Sequence, residues 1–475
     1  MAGKTRPERD SLGTVDVPEA AYYGVHTARA VANFSVTGTT ISQFPDLISA
    51  LAAVKEAAAL ANRDLGRLDD RRAEAIAAAC REVRDGKLLD QFVVDPIQGG
   101  AGTSTHMNVN EVIANRALEL LGFERGDYAE LDPLEHVNIG QSTNDVYPTA
   151  IKICLIGRLR TLITALERLA SSFSHLAVEC QDAVKMGRTQ LQDAVPMTLG
   201  QEFAAYVTLL REDCERIGEA TGLLLESNLG GTAIGTGMHG HPDYSRLACA
   251  YLRKITGEAI LPAADPIAST QDCSVFVEVS GVVKRAAVTL SKTCNDLRLM
   301  SSGPSTGLGE INLPSVQAGS SIMPGKVNPV IPEMVNQVAF EVMGSDVTVT
   351  LAAEAGQLQL NPFEPIIVYS LLRASAHLDR AVRALADRCV EGITPNTERL
   401  EHGVRNSVGM VTALLPELGY ATSAEVAKEA LARGVPVWEI AVGRGLLSME
   451  RVGELLSHAG LVRLASLSSS GSPPD

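Results

Sequence analysis

Residues 148–184 read PTAIKICLIGRLRTLITALERLASSFSHLAVECQDAV, with apolar side chains at helical spacing throughout. Three further spans carry the same pattern: Pro196–Ser227, Gln271–Ser302 and Pro329–Gly356. A helix of about 30 residues extends ~45 Å. Helices so long are seldom stable alone, so they imply a bundle. Their wide apolar stripes imply one completed by other subunits, with a long monomeric bundle as the alternative.

Toward the N-terminus, Gln98–Asn110 (QGGAGTSTHMNVN) reads as a glycine-rich loop leading into a helix at Glu111–Leu121. Ile48–Asn62 (ISALAAVKEAAALAN) is alanine-rich and amphipathic, and Arg71–Asp85 runs up to Gly86; both predict helices. Residues 1–45 read as irregular, broken by Gly13, Pro18, Gly24, Gly38 and Pro45. Beyond Gly392 shorter helices are expected at Thr397–Leu415, Ser423–Ala432 and Ser448–Ala459. The tail SLSSSGSPPD, residues 466–475, has the composition of a disordered segment. Three domains are therefore expected: 1–141, mixed and helical; 142–395, the long-helix bundle; and 396–475, small and helical with the tail.

Bulk properties agree with a mainly α chain. Hydrophobic residues make up 45% of the 475 and aromatics only 4%, an aliphatic core suited to close helix packing. The net charge of −15, without basic runs, makes nucleic acid and anionic membranes poor partners. The opening MAGKTRPERD is charged and has no apolar core, so a secretory signal is not expected, and no run approaches ~20 apolar residues. Eight cysteines are scattered without a CxxC pair, as buried thiols in a reducing cytoplasm are. No cluster of His, Cys, Asp and Glu has metal-ligand spacing, and the HxH of His239 and His241 lies in a turn. GGTAIGTG at Gly230–Gly237 lacks the βαβ context of a dinucleotide site, and no GxxxxGK[ST] phosphate loop occurs.

Four polar loops break the helices: Gly100–Asn110, His136–Asp145 (HVNIGQSTND), Gly187–Asp193 (GRTQLQD) and Gly319–Asn328 (GSSIMPGKVN). Ser, Thr and Asn at helix ends are ordinary caps, which alone would explain any one loop. Four such loops, rich in short hydroxyl and amide donors and holding one lysine, suit the gripping of carboxylates. Charge-assisted hydrogen bonds to an anion contribute roughly 1.5–3 kcal/mol each.

GSSIMPGKVNP at Gly319–Pro329 resembles the signature of the aspartase/fumarase superfamily, and the other three loops resemble its remaining active-site segments in the same chain order. The likeness runs from YYGVHT at Tyr22–Thr27 to the C-terminal region. It implies a three-domain fold whose central bundle is completed in a homotetramer, with loops of three subunits at each site. Within the superfamily, MGRTQLQDAVPMTLGQEF at Met186–Phe203 resembles the aspartase branch: class II fumarases place a histidine where this chain has Gln190. Glutamine exchanges no proton near neutral pH and only orients a polar group.

The resemblance implies elimination of ammonia from L-aspartate to give fumarate. Proton loss next to the side-chain carboxylate leaves an aci-carboxylate with two negative charges. Thr103, Ser142, Thr143 and Thr189 would surround it, Lys326 and Asn328 would hold the α-carboxylate, and Asn144 with Gln190 would face the amine. Ser320 would be the base, ionised by neighbouring donors and Lys326. The resemblance assigns Asp145, Glu310 and Glu333 supporting roles and implies no organic cofactor. A divalent ion activates some relatives, but no ligand set for one is visible here.

Two positions depart from the pattern. His106 stands where asparagine is usual, and reads either as a group able to titrate near pH 6.5 close to the site or as a neutral helix-cap variant. Ser305 stands where arginine is usual, removing a cation. Three alternatives therefore accompany the aspartase reading: class II fumarase, a lyase for an N-substituted amino diacid, and a silent scaffold.

Overall fold

The computed structural model describes residues 4–238, 240–319 and 322–466. The tail from residue 467 and His239 lie outside them. Strands β1 (Thr5–Asp10) and β2 (Gly13–Pro18) form an antiparallel hairpin inside the stretch that reads as irregular. Helices α1 (Val25–Asn33), α2 (Pro45–Asp64) and α3 (Asp70–Arg84) follow. The YYGVHT segment is an anchor. The N–H groups of Gly24, His26 and Thr27, and the Thr27 hydroxyl, all donate to the Glu111 carboxylate.

Helix α4 spans Thr103–Leu120, so most of the expected loop Gln98–Asn110 is helix. Gly102 permits the early start: its φ of 92° is left-handed, and a Cβ there would collide with the Tyr147 ring. Polar residues are buried on α4 because the surrounding chain supplies partners. Asn108, for example, accepts from the Val93 N–H and donates to the Gln91 carbonyl, both at 3.0 Å.

The long helices are α5 (Thr143–Glu179), α6 (Leu199–Leu223), and, after α7 (Tyr244–Thr256) and the short α8 (Pro266–Gln271), α9 (Ser274–Met300) and α10 (Val330–Glu354). A fifth, α11 (Glu364–Arg388), completes the set. They lie side by side. Phe173 of α5 packs on Phe203 and Tyr206 of α6, and the Tyr206 hydroxyl donates to Asp296 of α9 at 3.1 Å. Asn336 of α10 donates to Ser291 of α9, Arg373 of α11 pairs with Glu341 of α10, and Arg168 of α5 pairs with Asp387 of α11. Between α5 and α6, strands β3 (Val184–Thr189) and β4 (Gln192–Thr198) form an antiparallel hairpin where the sequence predicts a loop.

The chain forms two compact units. The first comprises Met1–Ile163, Glu215–Arg285 and Phe340–His377, with α2 packed on α3 and α7 and α3 on α4. The second comprises Thr164–Cys214, Ala286–Ala339 and Leu378–Asp475. Its core joins Val184 and Met186 of β3 to Val404, Leu414, Val426 and Ile440. Those last four come from α12 (Thr397–Asn406), α13 (Val411–Arg433) and α14 (Val437–Gly443). The expected helix Thr397–Leu415 breaks at Ser407 into α12 and the start of α13, and Gly419, in an extended left-handed conformation, kinks α13 ahead of the expected Ser423–Ala432. The last expected helix is two, α15 (Met449–Leu456) and α16 (His458–Ser466).

Candidate active site

The head of α5 is held by one carboxylate. Asp145 accepts the Ser142 N–H on one oxygen at 3.0 Å, and those of Gly230 and Thr232 on the other at 3.1 and 3.0 Å. The glycine run Gly230–Gly237 thus serves to clamp this helix start. Burial pushes the Asp145 carboxyl up to about 6, while the Ser142, Thr232 and Gly230 N–H groups work against that rise. Asn144 joins the clamp, donating to the Ala233 carbonyl at 2.7 Å, and the Asn228 amide donates to the Asn144 carbonyl.

Thr103 and Thr143 come together here. Their hydroxyl oxygens are 3.3 Å apart, and Thr103 donates to the Gly100 carbonyl at 2.6 Å. Thr103 is exposed and Thr143 is 9% exposed. Two hydroxyls at a helix start, where the backbone dipole is positive, suit an anion.

Behind Thr143 the structure is dry. His106 Nδ1 lies 2.8 Å from Thr143 Oγ1, and His106 Nε2 lies 2.6 Å from Nζ of Lys55, a residue of α2 with no exposed surface. Lys55 also donates to Gln141 Oε1 at 2.9 Å and Asn138 Oδ1 at 3.0 Å. Burial pushes the Lys55 ammonium down to about 7, with Asp145 and then Cys80 opposing the fall. Burial, then the Lys55 charge, holds His106 well below its ordinary value. Of the two readings of His106, a group titrating near pH 6.5 and a neutral side chain, the structure favours the neutral one, because burial disfavours the charged ring.

Thr189 and Gln190 occupy the tip of the β3–β4 hairpin, both exposed. Gln190 and Leu191 form its two-residue turn with φ of 55° and 63°, left-handed values that non-glycine residues rarely adopt. The base of this hairpin is tied by Glu310, which accepts from Arg188 at 2.6 Å and pairs with Lys185 at 3.0 Å.

Lys326 lies exposed on the loop preceding α10. The neck of that loop is closed by the Gly319 N–H donating to the Lys326 carbonyl at 2.9 Å, and by the Asn328 amide donating to the Gly319 carbonyl at 2.8 Å. Only glycine fits at 319, since a Cβ would collide with the Lys326 carbonyl. Asn328 therefore shapes the loop in addition to its expected contact with substrate. A cavity of about 490 Å³ opens beside it, lined by Lys326, Asn328, Arg298, Ser302 and Glu333. Ser305 is exposed on the segment after α9. Ser320 lies outside the described residues.

The structure thus joins Thr103, Ser142, Thr143 and Asn144 at one helix start. Thr189 with Gln190, and Lys326 with Asn328, stand on two other loops, and no hydrogen bond between described residues links the three groups. Sequence reasoning missed Lys55, though a signal existed: a lysine inside an alanine-rich apolar helix is a candidate for burial.

The described fold is mainly helical and carries short hydroxyl and amide donors on three loops. A family model described as "Lyase" matches residues 13–344, and one described as "Fumarase C C-terminus" matches residues 410–463. Aspartate ammonia-lyase of Pseudomonas aeruginosa is 54% identical over 458 residues, covering 96% of this chain and 95% of that protein. Aspartate ammonia-lyase of Escherichia coli K12 is 51% identical over 466 residues, 98% of each. The crystal structure of fumarate lyase:delta crystallin from Brucella melitensis bound to cobalt superposes with a TM-score of 0.94 at 52% identity, covering 97% of this chain and all of that one. Class II fumarase from Schistosoma mansoni gives 0.93 at 35% identity, covering 97% and 99%. The chain belongs to the aspartase/fumarase superfamily.

Proposed function

We propose that this chain reversibly eliminates ammonia from L-aspartate to give fumarate. The observation that carries this reading is the hydroxyl cluster of Thr103 and Thr143 at the head of α5, in a chain 51–54% identical to aspartate ammonia-lyases over nearly its whole length. The lower identity to class II fumarase, and Gln190 at the hairpin tip, weigh against hydration as the main activity.

In the proposed mechanism Ser320, as alkoxide, removes the proton from the carbon bearing the side-chain carboxylate. The electron pair moves into that carboxylate, and Thr103, Ser142, Thr143 and Thr189 donate to the doubly charged group. Such preorganised donors act most strongly where charge develops. Lys326 and Asn328 hold the α-carboxylate, and Asn144 and Gln190 orient the amine. Collapse of the aci-carboxylate breaks the carbon–nitrogen bond.

The working form we infer is a homotetramer in which copies contribute different loops to each site. The exposed apolar face of α10, with Phe340 (60% exposed), Val347 (57%) and Leu351 (63%), supports an oligomer, because such stripes are ordinarily covered. Among the described residues no helix is long and apolar enough to cross a membrane, and no disulfide joins the eight cysteines. A cytoplasmic setting fits thiols left out of disulfides.

Purified protein is to be incubated separately with L-aspartate and L-malate while fumarate absorbance is followed. Fumarate release from aspartate, far faster than from malate, is expected. Turnover of malate but not aspartate would overturn the proposal in favour of fumarase.

A further inference from the structure

Lys55, His106 and Thr143 connect a fully buried amine to the hydroxyl at the head of α5 through two hydrogen bonds that share one imidazole. An ammonium has three N–H donors and no acceptor. Lys55 Nζ has three acceptors in reach: His106 Nε2, Gln141 Oε1 and Asn138 Oδ1. When Nε2 accepts, the neutral ring carries its hydrogen on Nδ1 and donates to Thr143 Oγ1. The Thr143 hydroxyl hydrogen is then free to turn away from the ring, toward the side on which Thr103 lies.

A neutral amine has two hydrogens and a lone pair. The oxygens of Asn138 and Gln141 take the hydrogens, and the lone pair faces Nε2. The ring must then carry its hydrogen on Nε2, leaving Nδ1 an acceptor that draws the Thr143 hydroxyl hydrogen inward. We propose that Lys55 and His106 are positioning residues that set the direction of the Thr143 hydroxyl, so that it donates to the substrate carboxylate only while Lys55 is an ammonium.

The change moves one proton and no electrons. Lys55 gives a proton to Nε2, the Nδ1 proton passes to the Thr143 oxygen, and the former hydroxyl hydrogen leaves to solvent. The titratable groups facing Lys55 are His106 of α4, Asp145 of α5 and Cys80 of α3, and the charge facing His106 is Lys55 itself. Burial keeps the imidazole neutral, as the relay requires, and brings the Lys55 ammonium to about 7. An anionic substrate at Thr143 raises that midpoint, since a nearby negative charge favours the cation. Asparagine, usual here by the family resemblance, cannot make this connection. Its amide reaches the place of Nδ1 but falls short of that of Nε2.

The inference rests on the reading of Thr143 as a carboxylate donor, so two measurements separate them. The first is the pH profile of kcat and KM with L-aspartate for the full-length protein and for His106→Asn. The second is the ¹⁵N spectrum of histidine-labelled protein without substrate, with the His106 signals identified by their absence in the variant. The expected result is a His106 ring that changes from the Nδ1–H to the Nε2–H tautomer across one midpoint. An alkaline limb in kcat of at least tenfold should accompany it in the parent and be displaced by more than one pH unit, or absent, in His106→Asn. A single tautomer at every pH, or an identical limb in the variant, overturns the relay. If the variant is folded but inactive throughout, the parent's spectrum decides alone. Failure of the parent to release ammonia from aspartate at any pH would instead sink the proposed function and leave the spectrum to judge the hydrogen-bond direction.

Discussion

The head of α5 and the loop before α10 are built in opposite ways. At the first, Thr143 stands on a buried network of Lys55, His106 and Asp145, with each side chain held by hydrogen bonds. At the second, residues 322–327 are all exposed, and two hydrogen bonds at Gly319 hold the neck. Donors that stabilise a developing charge must be fixed before the reaction, because reorienting them during it would cost the free energy they supply. A segment that must admit substrate cannot be so tightly packed, and low local contact density gives it low local stability. In the proposed mechanism the two regions divide preorganisation from access.

That division is testable by asking which variants cost rate alone and which cost stability too. The largest expected effect is that of Ser320→Ala, which should lower kcat with aspartate by about 10³–10⁴, in the upper range for loss of a proton-transfer group. Its melting temperature should match the parent's; undiminished activity would remove Ser320 from the mechanism. Thr143→Ala comes next, with a fall in kcat of about 10²–10³. It should also lower the melting temperature, because His106 Nδ1 loses its partner. A loss of rate without any thermal cost would show that the buried network does not depend on Thr143.

Asp145→Asn should have the smallest effect on the chemistry and act mainly on stability. An amide brings a donor into a position where Asp145 oxygens receive three backbone N–H groups. Leaving one or two of these unmatched costs about 1–3 kcal/mol each, measurable by denaturant unfolding. A stability equal to the parent's at pH 7 would mean that the burial cost of the ionised carboxylate cancels the bonds it makes.

Much of the site was named from short polar motifs, and the structure shows what those motifs could not say. Thr103, Ser142, Thr143 and Asn144 were marked by their sequence context, and two of them, Ser142 and Asn144, prove to be organised by Asp145 and the glycine run. Lys55 went unread as a functional residue because its role depends on residues 51 to 88 positions away in the chain. The polar run Thr103–Asn110 looked like loop because its composition is polar, yet it is helix. The partners that permit its burial, such as Gln91 and Val93, come from the preceding segment. The β3–β4 hairpin was hidden for a related reason. Residues 184–187 of β3 are all buried, so no alternation of polar and apolar side chains marks the strand.

Sequence by itself determined the long helices. Four of the five were placed within a few residues at most boundaries, because a 3.6-residue apolar period is a local property of the chain. It did not deliver α11, where Pro365 at the start and arginines at 373, 380 and 383 dilute the apolar run. Only the tertiary structure decided that His106 is a neutral, buried link and not a titrating group at the surface. A side chain's ionisation is set by the water and charge around it, and those are contributed by α2, α3, α4 and α5 together.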